Sequence, residues 1–438
     1  MQRLFEPDAY GPEARRDCFW PLPAGKWPRV DGDMFTDFAI VGGGFTGLSA
    51  ALHLAKAGAD ALVLEAEQPG WGASGRNGGF CCLGGTMLSH GALARRFGMA
   101  AADQFAADER AAIDLVRSLL EQHGINAETH SDGELQLAHS PGAAKAFPAA
   151  ARLLERHGIK SDILSRRDLA ERQVFGPEFH GGLHVKAGFA LNPAAYAAGL
   201  AQAAAAAGAD IRAQSPVQAI SHTDGVFHLT TSRGVVTARH LIVATNGYSS
   251  DDVPDWLRAR FLPMQSNIIV TRPLSPAEQQ AQGWSSDLMA YDTRRLLHYF
   301  RRLPDGRFLF GMRGGLRADP RTQRHMRRAT QQHFTRMFPA WAQVEVPHFW
   351  SGLINLTRGG TPYIGPIGDW DRAWAGLGYH GNGVAMGTFA GARLAALALG
   401  REQAGPVFSA PLQRFPFGRA RRLALPAAFL GSAILDRV

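Results

Sequence analysis

The run Ile40-Val41-Gly42-Gly43-Gly44-Phe45-Thr46-Gly47 constrains this chain more than any other stretch. It follows Asp37 to Val41, an apolar run suited to a buried parallel strand. It leads into a helix predicted from about Thr46 to Ala57, with Leu48, Ala51, Leu52 and Ala55 along one face and Gly58 as its stop. Ala61 to Leu64 forms the next strand, and Glu65 closes it. Each glycine has a task. Gly42 turns the chain sharply out of the strand, Gly44 lets a pyrophosphate approach the backbone, and Gly47 lets helix and strand pack closely. The N–H groups at the helix start, Phe45 and Thr46, face the phosphates with the positive end of the helix dipole behind them. Glu65 is placed to accept hydrogen bonds from ribose hydroxyls, and its charge repels a 2′-phosphate. A strand, glycine turn, helix and acid-ended strand together form a dinucleotide site. Alone, they leave NAD and FAD both open.

Two glycine-rich loops favour FAD. Gly70 to Phe80 reads GWGASGRNGGF and offers little bulk on one side, so a flat ring system and its pyrophosphate can lie against backbone. Here Ala73, Ser74, Asn77, Gly78 and Gly79 are candidate cofactor contacts, with Ser74 and Asn77 as short donors and Arg76 as partner to a phosphate or substrate anion. Gly376 to Met386 reads GLGYHGNGVAM and precedes a helix whose N-terminus would stabilise negative charge at the pyrimidine end of a flavin.

The chain has 438 residues, which predicts two domains. Asn192 and Pro193 read as the cap and first turn of an alanine-rich helix that stops at Gly208. Residues from about His90 to Arg167 read as helical. Strands are predicted at Ile211 to Ile220, Val226 to Thr231, Val235 to Ala238, Leu241 to Thr245, Ile268 to Thr271, Leu296 to Phe300, Arg307 to Phe310 and Trp374 to Leu377. A helix is predicted from Arg324 to Phe338. Strand–helix units thus occur at both ends with different material between. The expected fold class is α/β: a discontinuous Rossmann-like FAD-binding domain (35–90, 188–260, 345–405) and a substrate domain on a mixed or antiparallel sheet (91–187, 261–344). Residues 1–34 and 406–438 are terminal extensions.

Residues 35–400 resemble the D-amino-acid oxidase-like flavoprotein superfamily, in its gamma-glutamylputrescine oxidoreductase branch. The resemblance is carried by DFAIVGGGFTGLSAALHLAKAGADALVLEAEQPGWGASGRNGG, by LIVATNGYS, by HYFRRLPDGRFLFG, and by WSGLINLTRGGTPYIGPIG with GLGYHGNGVAMGTFAG behind it, in that order. It implies FAD, with Glu65 on the adenosine ribose, Val217 at the adenine, Thr245, Asn246 and Gly247 near the cofactor, and Gly381, Asn382, Gly383 and Val384 at the flavin pyrimidine. It also implies amine oxidation: hydride transfer from a C–N bond, then hydrolysis of the imine, on a gamma-glutamylated or N-substituted polyamine-like substrate. Oxygen or another electron acceptor would close the cycle. Glycine oxidase-like relatives carry a carboxylate-binding arginine where this chain has Gly381, and sarcosine oxidase-like relatives a lysine where it has Ala385. Without either cation a buried substrate carboxylate is costly, so an amine lacking an adjacent carboxylate is expected. No lysine follows Lys186, which argues against direct oxygen use. The loop at Gly72 to Gly79 holds no histidine, and buried Cys81 and Cys82 read as packing, so the flavin is expected to be non-covalent. His380 and Tyr299 are the catalytic candidates, His380 because an imidazole of pKa about 6.5 can take an ammonium proton.

Other functions fit less well. The formal net charge is +8, but no basic stripe interleaved with aromatics marks a nucleic-acid site. The six arginines from Arg313 to Arg328 read as a solvated helix face. Cys18, Cys81 and Cys82 give neither a disulfide framework nor metal-ligand spacing. Met1 to Arg16 lacks a signal-peptide pattern, and the apolar run Leu423 to Leu435 is too short to span a bilayer. A cytoplasmic protein is expected. Arg419, Arg421 and Arg422 before that run allow a peripheral membrane contact, and so a dehydrogenase of amino or 2-hydroxy acids that feeds a quinone or other carrier. A flavin-binding scaffold without turnover would share the same motifs.

Overall fold

A computed structural model describes residues 1–22 and 27–436. Residues 23–26 and 437–438 of the two expected extensions lie outside the described residues.

The strand Met34–Val41 lies at the centre of the first sheet. It pairs in parallel with Gly234–Val243 on one side and Ala61–Leu64 on the other, so Ile40 faces Ile242 and Val63 across the ladder. Asp210–Arg212 extends the sheet beyond Ala61–Leu64, and Ala373–Leu377 and then Tyr363–Pro366 extend it on the other side. Buried on both faces, Ala39, Ile40, Leu62 and Val63 are nearly inaccessible, as a sheet covered on both sides requires. The helix Phe45–Lys56 packs against Ala385–Ala398 closely enough that a Cβ on Gly391 would collide with the Thr46 carbonyl.

The second sheet runs His348–Leu356, Leu262–Val270, Phe308–Arg313, His298–Arg302, Met289–Asp292, Glu134–Leu137, Gly182–Val185, Ser161–Leu164. All its pairs are antiparallel except Met289–Asp292 with Glu134–Leu137, so it is mixed. Its aromatic core joins Phe300, Phe308, Phe310, Phe338 and Trp341.

Four expectations change. The segment expected to be helical throughout, His90 to Arg167, contains the strands Glu134–Leu137 and Ser161–Leu164. Four residues carry no periodicity of their own, and pairing within the second sheet decides their state. The strand expected over Ile211 to Ile220 ends at Arg212, after which the Ala213, Gln214 and Ser215 N–H groups bond the Pro28, Glu67 and Glu65 carbonyls and Pro216 has no N–H to resume a ladder. Its second half, Ala219–Thr223, belongs to a hairpin with Val226–Thr231. The two short strands expected between Val235 and Thr245 are one strand, Gly234–Val243. Finally, His348–Leu356 was expected in the FAD-binding unit but pairs with Leu262–Val270 along its full length. Among the described residues no helix is long and apolar enough to cross a membrane.

Candidate active site

A cavity of about 700 Å³ runs from the fingerprint at the first sheet to the face of the second. It opens where the parallel strands end, the usual ligand position in a doubly wound sheet. Gly42, Gly44, Glu65 and Val217 line one part of it, and Tyr299, Arg313, Asn355 and His380 another.

The fingerprint geometry follows from its sequence. Gly42 has φ +108°, and a Cβ there would lie 2.9 Å from the Ala244 carbonyl oxygen. A Cβ on Gly47 would collide with the Gly42 carbonyl. Glu65 accepts from the Gly43 N–H at 2.6 Å and the Glu67 N–H at 2.9 Å. Burial raises its pKa despite these bonds, and its remaining lone pairs are directed by a carboxylate held at two points.

The loop after the second strand is pinned by its own side chains. Ser74 Oγ accepts the Phe45 N–H at 2.9 Å, which ties the loop to the start of the fingerprint helix. Asn77 does not reach out as a donor: its Nδ2 donates to the Ala73 and Ser74 carbonyls, and its Oδ1 accepts the Gly79 N–H. Arg76 is also reassigned. It is 1% exposed, and its guanidinium donates to the carbonyls of Trp71 and Ala14 and stacks on the Trp71 ring at 4.2 Å. Those bonds occupy the groups that were expected to meet an anion. Arg301 braces the loop by donating to the Gly78 and Leu191 carbonyls, each at 2.8 Å. Nearby, Thr245 Oγ1 pairs with Ser249 Oγ, Asn246 Oδ1 accepts the Gly378 N–H, and Gly247 lies so close to Leu353 that a Cβ would come within 2.8 Å of its carbonyl oxygen. Burial raises the Cys81 and Cys82 thiols, which keeps both protonated and poorly nucleophilic.

At the other end, Gly381, Asn382, Gly383 and Val384 line the cavity just before the helix Ala385–Ala398. Asn382 donates to the Leu83 carbonyl at 2.7 Å. His380 is buried with φ +50°. Thr357 Oγ1 gives its proton to the Thr361 carbonyl, so the 3.2 Å contact with His380 Nε2 requires an Nε2–H. The Nδ1 lone pair is then left without a protein partner. Burial, with Arg313 nearby, pushes the ring down to about 4. Burial therefore favours a neutral His380 near pH 7 and weakens it as a holder of the ammonium proton, while its Nδ1 can accept a hydrogen bond. Tyr299 bonds Ser266 Oγ at 2.8 Å, and burial pushes its phenol up to about 12.

Arg313 is the residue that sequence reasoning missed. Counted among solvated arginines, it instead ends a strand of the second sheet and lines the cavity. Its Nη2 donates to the His380 carbonyl at 2.9 Å, and a Cβ on Gly381 would stand 2.6 Å from that nitrogen. A strand of the second sheet thus brings a guanidinium beside Gly381. Among the described residues it makes no ion pair, and burial lowers its pKa. Asn355 lies in the same wall, 1% exposed, with both amide atoms unpartnered. No local pattern could have revealed either: both depend on register within the second sheet.

A cavity whose glycine cradle leaves room for a pyrophosphate, whose acid ends the second strand, and whose far wall holds unpartnered polar groups fits FAD. Residues 37–397 match the family of FAD dependent oxidoreductases designated DAO, and the chain belongs to it. It is a flavoenzyme with FAD as its cofactor. Gamma-glutamylputrescine oxidoreductase of Escherichia coli (strain K12) is 31% identical over 398 residues, 91% of each chain. A probable oxidoreductase, OrdL, of Rhizobium meliloti (strain 1021) is 29% identical over 86% of each. Among solved structures, glycine oxidase from Geobacillus kaustophilus superposes with a TM-score of 0.71 at 22% identity, covering 87% of this chain and 99% of that one.

Proposed function

We propose that this enzyme oxidises the C–N bond of an N-substituted amine whose molecule carries a carboxylate, with a gamma-glutamylated amine as the reading that the Escherichia coli relative supports. The observation that carries it is Arg313, a cation in the cavity wall beside Gly381 that has no ion pair among the described residues. It bears on the expectation of an amine with no adjacent carboxylate, because an unpaired buried cation favours an anionic guest. FAD, when bound, supplies the two-electron acceptor for the substrate's C–H bond. The chain's own groups do the placing. Arg313 holds the carboxylate, Nδ1 of neutral His380 accepts from the substrate N–H, and the Asn355 amide offers one donor and one acceptor. The protonated Tyr299 phenol stays bonded to Ser266 and packs against Gly78. Because His380 is a weak base, the amine enters neutral, its ammonium proton already lost to solvent. The C–H hydrogen would leave with two electrons for FAD and the N–H proton for solvent water, and water then splits the imine into an aldehyde and an amine or ammonia.

Anaerobic mixing with a panel, following loss of flavin absorbance, tests this. A gamma-glutamylated amine should bleach the flavin fastest. Faster bleaching by glycine, sarcosine or D-alanine, or by putrescine, would overturn it.

A second reading concerns the electron acceptor. Among the described residues no lysine lines the cavity. Phe417, Leu423 and Leu430 of the C-terminal segment are exposed by 76%, 79% and 65%. Together these support a membrane-borne carrier rather than oxygen, and a peripheral contact with a membrane surface. The segment itself is docked: Arg421 pairs with Asp251 at 2.7 Å, Arg422 with Glu6, and Leu425 and Phe429 line the cavity. Replacing Leu423 and Leu430 by serine should therefore lower activity with membranes but not with a soluble dye. Rapid oxygen consumption by the purified protein would count against it.

A further inference from the structure

Away from the flavin cavity, three helices bring His90, Asp103 and His157 together. His90 opens the helix His90–Phe97, whose cap is Ser89. Asp103 lies in the first turns of Met99–Gln122, and His157 caps the end of Phe147–Arg156. Both imidazoles turn Nε2 toward the same oxygen, Asp103 Oδ1, at 2.8 Å from His90 and 3.1 Å from His157. The histidine side chains are only 12% and 17% exposed, while Asp103 is 50% exposed and keeps the group open to solvent.

The tautomer of His157 makes this more than a hydrogen-bonded trio. Its Nδ1 lies 3.0 Å from the Leu153 carbonyl oxygen, which can only accept, so the proton is on Nδ1. In a neutral ring, the Nε2 lone pair then points at a carboxylate oxygen. Two acceptors 3.1 Å apart repel unless a positive species stands between them. One solution is a second proton on the ring, with His90 competing for the same oxygen. The other is a metal cation, which binds both neutral imidazoles and the carboxylate at once. A ligand histidine that donates its other N–H to a backbone carbonyl is the usual outer-sphere arrangement of a metal site.

We infer that His90, Asp103 and His157 form a binding site for a divalent transition metal, with Zn²⁺ as the favoured ion. Two nitrogens and one oxygen suit zinc and its neighbours, not the all-oxygen demands of magnesium or calcium. All three ligand atoms lie within 4.8 Å of one another. Bonds of about 2.0–2.1 Å at tetrahedral angles place ligand atoms about 3.3 Å apart, so the two nitrogen–oxygen separations of 2.8 and 3.1 Å need to open by only a few tenths of an ångström. Water takes the fourth position.

The site's place suggests its effect. His90 follows the loop Thr86 to Leu88, in which Thr86 and Met87 line the flavin cavity and both bond the Gly360 carbonyl. A second cavity of about 170 Å³ lies between, walled by His90, His157, Leu88 and Glu109. A bound ion cross-links three helices that otherwise meet around this void, and it fixes the end of the loop that walls the active site. The site is therefore a clamp that holds one wall of the active-site cavity.

The test uses tag-free, flavin-loaded protein dialysed against a chelator and titrated with ZnCl₂ by calorimetry, and with CoCl₂ by visible absorption. One equivalent per chain, a tetrahedral cobalt spectrum and a higher melting temperature with zinc are expected. His157→Ala and Asp103→Asn should each weaken zinc binding by at least about tenfold, whereas His325→Ala, on an exposed helix position far along the chain, should not. Circular dichroism of the variants checks that they fold. No saturable zinc binding, an octahedral cobalt spectrum, or equal binding by the folded His157→Ala variant would each overturn the inference.

Discussion

Replacing Arg313 by methionine keeps much of its volume and removes its charge. The guanidinium lines the cavity and donates to the His380 carbonyl, and it has no ion pair among the described residues. Burial already disfavours its charged form. Methionine should therefore leave stability unchanged or raise it, since no paired charge is orphaned. A substrate carboxylate, by contrast, loses a hydrogen bond to a charged group, worth about 1.5–3 kcal/mol. That converts to a fall of about 13- to 160-fold in the efficiency of flavin reduction. Arg313→Lys should fall between, keeping the charge but losing the planar fork. The assay is anaerobic stopped-flow reduction with a carboxylated amine and with the same amine lacking the carboxylate. The loss should appear only for the first, and mainly in its binding constant. Equal efficiency of wild type and Arg313→Met within about twofold, ~0.4 kcal/mol, would refute the assignment. An equal loss for both amines would instead place the effect on the flavin.

Three further outcomes follow from the geometry. Gly44→Ala puts a Cβ 2.8 Å from Ser74 Oγ and displaces the acceptor of the Phe45 N–H; FAD affinity should fall by roughly tenfold, about 1.4 kcal/mol, measured by flavin release on dilution. Asp251→Ala strands the buried Arg421 charge, both partners being 1% exposed; urea unfolding should show a loss of about 3–5 kcal/mol. The His380 imidazole is pushed from 6.5 down to about 4, so the unfolded chain binds the proton more tightly. Its contribution is fully present above about pH 6.5 and is lost as pH falls toward 4, about 2 kcal/mol between pH 7 and 5. His380→Gln should flatten that part of the urea-midpoint profile, and an unchanged slope would show that the ring titrates normally.

Local features were legible in the sequence because their causes are local. The fingerprint, the Asn192 cap and the Gly58 stop each depend on a few adjacent residues, and the helix Phe45–Lys56 begins and ends within one residue of its expected bounds. Positive φ, close backbone approach and capping act over one turn, and residue identity alone meets them. The substrate end could not be read this way. Arg313 looked like one member of a charge run, yet pairing of its strand carries it to Gly381, 68 positions on in the chain. Arg76 looked free to meet an anion, yet the carbonyls of Ala14 and Trp71 enclose it. His380 kept an ordinary basicity on paper until burial removed it. The sequence by itself determined the dinucleotide cradle, and its two further glycine-rich loops favoured FAD over NAD. Tertiary structure alone decided which charges are paired, which are solvated and which are left waiting, because desolvation and partnership depend on neighbours that the chain order does not adjoin.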